Sequence, residues 1–188
     1  MSIISFAPDV RSLLAKRGAY SGTDCTMKKI ELTQGKYAIV DDEDFEWLNS
    51  YKWHAAVMGR HVYATRIERV KTTKKRKTVY MHREVLKPKA NQLCDHIDFD
   101  GLNNTRANLR VATKEQNQIH ARAQRNRVSA YKGVMKASTA GRWIALVTTK
   151  GKHTYLGTYK TEEEAATAYN EGAKKYHGEF ASLNRLNK

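Results

Sequence analysis

Between residues 28 and 90 short apolar stretches alternate with polar positions and are separated by turn residues. Ile30/Leu32 and Tyr37/Ile39 alternate about Gln34-Gly35, which predicts a hairpin. Asp41 or Asp42 then starts a short helix with Phe45 and Leu48 on one face and Trp47 beside them. Trp53/Ala55/Val57 and Val62/Ala64/Arg66 predict a second hairpin about Gly59, with His61 near the start of its second strand. The run Lys71–Lys77 reads as a basic loop and Thr78–Met81 as a short extended stretch. His82–Leu86 reads as a helical turn that ends before Pro88. Residues 28–90 thus predict a small α+β region. Residues 1–27 fit it poorly, since Val10–Arg17 makes two turns of helix at most before Gly18, Ser21 and Gly22 interrupt it. They are expected to be a flexible tail or upstream extension outside the folded core.

Beyond residue 90 the pattern changes twice. Leu93–Ile97 and Leu109–Ala112 read as strands joined by a turn-rich loop, Asp98–Asn108. A helix follows from Lys114, with Thr113 as N-cap and Gln116 completing a capping box. Residues 121–130 form a basic linker. From 131 to 184 three strands are predicted at Gly133–Met135, Arg142–Thr148 and Thr154–Gly157, with turns at Ser138–Gly141 and Lys150–Gly151. Thr161 and Glu164 form a second capping box, and the helix they open carries Ala165, Ala166, Ala168, Tyr169, Gly172, Ala173 and Tyr176. That small-residue face can lie close on a sheet, and Gly178 stops the helix.

Charge narrows the partners. The 188 residues hold 34 Lys and Arg against 19 Asp and Glu, a net charge of +15. A polyanion is the simplest partner for such an imbalance, although ribosome-like and membrane-surface proteins share it. The excess is bunched in Arg66–Lys89 and Arg122–Arg142. Cys25 and Cys94 form no CxxC, which excludes a disulfide scaffold and a four-cysteine zinc site. Cys94 reads as a small buried hydrophobe. No apolar run reaches transmembrane length and no signal-peptide pattern is present, so a cytosolic protein is expected.

The densest chemistry lies in DHIDFDGLNNTRANLRVATKEQN, Asp95–Asn117. A hairpin against a helix would bring Asp95, His96, Asn108 and Asn117 together. Asp95 and the Asn117 carboxamide oxygen suit a hard cation, and His96 suits a base acting on water near neutral pH. The competing reading is structural, since Asn, Asp and Gly crowd loops everywhere.

The segment resembles the HNH nucleases, in the Asn-ended variant of phage- and intron-encoded homing endonucleases. It opens with Asp-His, places Asn108 twelve residues after His96 and Asn117 nine residues later, and contains NLRVAT followed by QN. The resemblance implies the ββα-metal (His-Me finger) fold over residues 91–120. It further implies Asp95 and Asn117 as metal ligands, His96 as general base and Asn108 as the group orienting the imidazole. One Mg²⁺ or Mn²⁺ per site is implied, with no zinc. LTQGK, VDD, YA and MHR are similar to the N-terminal half of the same nucleases, where a sheet edge and loops meet DNA. Lys74, Lys75, Arg76, Lys77 and Arg83 become expected DNA contacts. His82 is either packed beside the catalytic hairpin or a phosphate contact. Arg122, Arg125 and Arg127 in the linker suit a segment that follows a phosphate backbone.

The segment 131–184 resembles the plant APETALA2/ethylene-response-factor DNA-binding domain, which phage homing endonucleases also carry. YKGV, RWIA, YLGTY, EEEAATAYNEGAKKYHG and ASLN stand in that family's order. The resemblance implies that the sheet enters the major groove with Lys132, Met135, Arg142, Thr148, His153 and Tyr155. Lys136, Lys150 and Lys152 would reach phosphates. Met135, Thr148 and His153 stand where a plant protein usually has Arg, and Trp143 is assigned to the core.

The expected protein is therefore α+β: an HNH core with an N-terminal α+β extension, then a three-stranded antiparallel sheet with a helix. Its expected activity is metal-dependent, site-directed DNA cleavage leaving 5′-phosphate and 3′-hydroxyl ends, as in a homing endonuclease. The alternative is a catalytically silent, sequence-specific DNA-binding regulator. The expected partner is double-stranded DNA and not a membrane. A monomer would cut one strand per encounter and a dimer both, in the cytoplasm of a bacterial host of the suspected phage.

Overall fold

In this computed structural model the described residues are 26–70, 72, 75–121, 128–139 and 141–186. The expectations for the N-terminal tail up to Cys25, for Lys74 and for Arg122, Arg125 and Arg127 lie outside them. The chain forms two compact units. The first holds the residues up to Lys89 together with Cys94–Val111, and the second holds Ala90–Leu93 and everything from Ala112 onward.

In the first unit, β1 (Met27–Glu31) pairs antiparallel with β2 (Tyr37–Asp41) across a 3-10 turn at Thr33–Gly35. Helix α1 (Asp42–Asn49) follows with Asp42, Glu43 and Asp44 in its first turn, where negative charge complements the helix dipole. Strands β3 (His54–Met58), β4 (His61–Arg69) and β5 (Arg76–Tyr80) form an antiparallel sheet in that order. Helix α2 (Met81–Leu86) leads to a two-stranded sheet of β6 (Leu93–His96) and β7 (Leu109–Ala112). Alternation sets the core: Ile30, Ala38, Val40, Ala55, Ala64, Val79 and Leu109 point inward from the strands. Leu48, Trp53, Met81 and Val85 complete it.

One element differs from expectation. Arg76 and Lys77, read as the end of a basic loop, are the first two residues of β5. They stand opposite Arg69 and Glu68 of β4, and the Glu68–Lys77 pairing sets opposite charges side by side. Strand pairing overrides the solvated-loop reading of a charge run at these two positions.

The long connection between β6 and β7 is tied down along its length. The Ile39 N–H donates to the Leu102 carbonyl at 2.8 Å, and the Asn104 N–H donates to the Ile39 carbonyl at 2.7 Å, so the loop borders β2. Arg106 grips the buried Asp44 carboxylate with two parallel bonds of 2.8 Å, and its own N–H donates to Asp41 Oδ2 at 2.7 Å. Gly101 has to be glycine, because a Cβ there would run into the Val62 carbonyl and the Tyr63 ring.

In the second unit, helix α3 (Lys114–His120) starts with the predicted capping box, the Thr113 side chain accepting from the Gln116 N–H and Gln116 accepting from the Thr113 N–H. Strands β8 (Val134–Lys136), β9 (Trp143–Thr149) and β10 (Lys152–Tyr159) form an antiparallel sheet with β9 central. Helix α4 (Glu162–His177) covers one face. Val134, Ala145 and Val147 from the sheet meet Ala165, Ala166, Tyr169 and Ala173 from the helix. Lys150 and Gly151 both have positive φ, 51° and 76°, giving β9–β10 the tight turn whose twist matches its strands. Among the described residues no helix is long and apolar enough to cross a membrane.

Candidate functional site

Asp95 and His96 end β6, and both are buried. The Asp95 carboxylate meets a cation of the chain itself. Its Oδ2 accepts from Arg110 Nε at 2.8 Å, and Arg110 Nη2 lies 2.6 Å from the same oxygen. Both side chains are under one-tenth exposed, so this is a desolvated ion pair across the hairpin. Arg110 was not among the expected site residues. Its signal was nonetheless present: an arginine inside the apolar strand Leu109–Ala112 must find a carboxylate if it is buried.

The His96 ring is packed on several sides. Its Nε2 lies 3.4 Å from Asn104 Oδ1, the His82 ring stands edge-on at 5.1 Å between centroids, and the Tyr63 ring is at 6.0 Å. Burial holds the imidazole below its ordinary pKa, against the Asn104 contact and the Asp98, Asp95 and Asp100 carboxylates, which pull it upward. His82 is buried too; desolvation, then the charges of His96 and Arg83, push it down to about 3. The His82 ring packs against the rings of Tyr63, Tyr80 and His96. Cys94, half-buried, has its S–H directed at the His82 carbonyl, 3.6 Å away, and burial lifts the thiol to about 11.

Asn108 does not touch the imidazole in this arrangement; the carboxamide beside the ring is that of Asn104. Asn108 Oδ1 accepts from the Asp98 N–H at 3.0 Å, while its Nδ2 donates to Asp98 Oδ1 and to the Asn103 carbonyl at 2.9 and 2.8 Å. Asp98 also receives the Asp100 N–H and the Asn103 Nδ2, and Asp100 receives the Leu102 N–H. The Asp and Asn side chains that made the segment look like a reaction centre fold the loop upon itself. Asn117 sits on α3 in the second unit, half-buried, its N–H bonded to the Thr113 carbonyl and its carbonyl to the Ala121 N–H.

These contacts correct the sequence expectation. An enzyme holding one Mg²⁺ or Mn²⁺ needs a set of converging ligands, and among the described residues no group of three or more His, Cys, Asp or Glu is placed to hold a metal ion. The carboxylate expected to anchor the ion is matched with a guanidinium instead. The site therefore supports neither the expected Mg²⁺ or Mn²⁺ cofactor nor the expected metal-dependent nuclease activity.

The expected groove contacts fall differently. Ala145 and Val147 of β9 point into the core, so Ile144, Leu146 and Thr148 point the other way. The register places Met135 opposite Ile144, Tyr155 opposite Leu146 and His153 opposite Thr148, all on that outward face. Arg142 is exposed just ahead of β9, and Lys136, Lys150 and Lys152 are exposed on or beside the strands. Lys132 is held differently: its ammonium donates to the Ile119 and Ala121 carbonyls at the end of α3, where a cation is favoured. Trp143 packs against the core with the Lys136 ammonium 5.9 Å from its ring centre, as its assignment to the core anticipated. In the first unit Lys75, Arg76 and Lys77 are exposed, and Arg83 is half-buried on α2.

Comparison with known proteins places the chain. No family model matches it. Over 155 residues it is 31% identical to an uncharacterized HNH endonuclease of Acanthamoeba polyphaga mimivirus, covering 81% of this chain and 77% of the viral protein. A stretch of 59 residues, 30% of the chain, is 46% identical to an ethylene-responsive transcription factor of Arabidopsis thaliana, and 63 residues are 40% identical to an APETALA2-like protein of Oryza sativa. The match spans 14% of each of these two plant proteins. With that identity sustained over three-quarters of the viral relative, this chain belongs to the HNH endonuclease family.

Proposed function

We propose that this protein is a duplex DNA-binding protein of regulatory type, in which the HNH hairpin serves as scaffold and does not cleave. The carrying observation is the β9–β10 hairpin, whose outward face and turn belong to a stretch with no carboxylate side chain from Gln116 to Thr161 and with Arg142, Lys150 and Lys152 exposed. A two-stranded ribbon of this kind has the dimensions of a B-DNA major groove, and flanking cations meet the phosphates on either side. The plant relatives supply the second support, as two proteins matched over 59 residues each are named ethylene-responsive transcription factors. Membership in a nuclease family does not oblige activity, since function resides in a site and not in a fold. Here the buried Asp95–Arg110 pair and the self-bonded loop favour the scaffold role.

The test combines binding with cleavage. Fluorescence anisotropy with a labelled duplex should show affinity that falls steeply with salt. Supercoiled plasmid incubated with the full chain and millimolar Mg²⁺ or Mn²⁺ should stay supercoiled. Metal-dependent nicking that disappears in H96A would overturn the silent reading, and salt-insensitive or absent duplex binding would overturn the DNA-binding one.

A further inference from the structure

The centre of the outward face of the β8–β9–β10 sheet lacks the side chains that ordinarily read guanine or adenine. Guanine is read by paired donors from Arg or Lys, and adenine by the donor and acceptor of Asn or Gln. None of these four residue types stands among Met135, Ile144, Leu146, Thr148, His153 and Tyr155, while Arg142, two residues before Ile144 and opposite Ala137, borders the same face at its far end. Its polar atoms are partly matched with one another: Thr148 Oγ1 and His153 Nδ1 are 2.8 Å apart, and Tyr155 Oη and Thr158 Oγ1 are 2.7 Å apart. What remains is apolar and open, Met135 being 48% and Tyr155 60% exposed.

Such a face is unusual beside so much positive charge. A docking surface for another protein would bring acidic partners to the cations and apolar ones to the centre. The same layout fits duplex DNA differently, with phosphates at the rim and one apolar group in the groove. Lys150 and Lys152 at the hairpin turn, with Arg142 at the other end of β9, span the ribbon lengthwise as a phosphate rim would require. The Leu146 N–H still donates to the Gly133 carbonyl at 2.8 Å, so all three strands run side by side here, with Met135 opposite Ile144 and Tyr155 opposite Leu146 across the centre of the face. The apolar group that B-DNA presents in its major groove is the 5-methyl of thymine.

We infer that the centre of this sheet face recognises thymine methyl groups, so that its preferred sites are rich in A·T pairs where that centre meets the groove. Met135, Ile144 and Leu146 are the methyl-contacting residues. The inference rests on the DNA-binding reading above and names the substrate class of that site.

The experiment selects duplexes from a random library with the full chain, then replaces each thymine of the selected core with deoxyuridine, which removes only the methyl. Burying one methyl changes affinity about fourfold. Each contacted thymine should therefore lose about that factor on replacement, with an unchanged salt slope. Met135→Ala, at an exposed position, should melt like wild type and bind the thymine and deoxyuridine duplexes alike at one position of the core. A G·C-rich core, or an A·T core indifferent to deoxyuridine, overturns the methyl-reading inference while duplex binding stands. If no duplex is bound in a salt-dependent way, both readings fall.

Discussion

Removing the Asp95 carboxylate should destabilise the first unit by about 3–5 kcal/mol, the usual loss when one partner of a buried ion pair is deleted. The magnitude follows from the geometry. Arg110 Nε and Nη2 lie 2.8 and 2.6 Å from one Asp95 oxygen, and the two side chains are 7% and 8% exposed. At an effective dielectric of about 20, unit charges some 4 Å apart attract by roughly 4 kcal/mol. Much of that attraction only offsets desolvation, so the intact pair adds little net stability; the loss in D95A comes from the guanidinium left charged in a dry interior. D95N keeps an acceptor for Arg110 Nε and should fall between D95A and wild type. A D95L/R110M double variant, which removes both charges and keeps apolar volume, should recover most of the loss. Urea unfolding followed by the fluorescence of Trp47 and Trp53, both in the first unit, reads these differences. A D95A protein within about 1 kcal/mol of wild type, or a double variant no better than D95A, would refute the ion-pair reasoning and reopen the carboxylate to another role.

Acid should destabilise the first unit through His82. With its folded pKa near 3 and the ordinary value at 6.5, the unfolded chain alone takes up the proton between them, so stability present above pH 6.5 is lost as pH falls toward 3. His82→Phe should flatten that part of a melting-temperature profile, and an unchanged slope would count against it. Lys150→Ala with Lys152→Ala should reduce the slope of log affinity against log salt by about 2, measured by anisotropy, if both ammonium groups meet phosphates. Tyr169→Ala should destabilise the second unit by roughly 3–5 kcal/mol, because its ring is 2% exposed and lies over Gly133. Thr161→Ala should lower stability by about 1 kcal/mol through loss of the bond to the Glu164 N–H, while leaving duplex affinity within twofold or so.

By itself the sequence determined what is local. Both capping boxes, the hairpins about Gln34-Gly35 and Gly59, the Lys150-Gly151 turn and the Gly178 stop follow from residues within a few positions of one another. Helical spacing also gave Ala165, Ala166, Tyr169 and Ala173 of the second core, whereas in β2 the inward residues are Ala38 and Val40 and not the alternating pair Tyr37 and Ile39. Strand β5 began earlier than expected because its first two residues are paired with β4, and pairing lies outside the segment's own composition. The same limit governed the candidate site. Spacing put Asp95, His96 and Asn108 on one hairpin, as the folded chain does, but spacing says nothing of which partner each side chain takes. Asp95 is matched by Arg110 fifteen residues on, the imidazole faces Asn104 in place of Asn108, and Arg106 closes on Asp44 sixty-two residues earlier. A buried charge takes whichever opposite charge the assembled fold brings within reach, and only the tertiary structure decides which one that is.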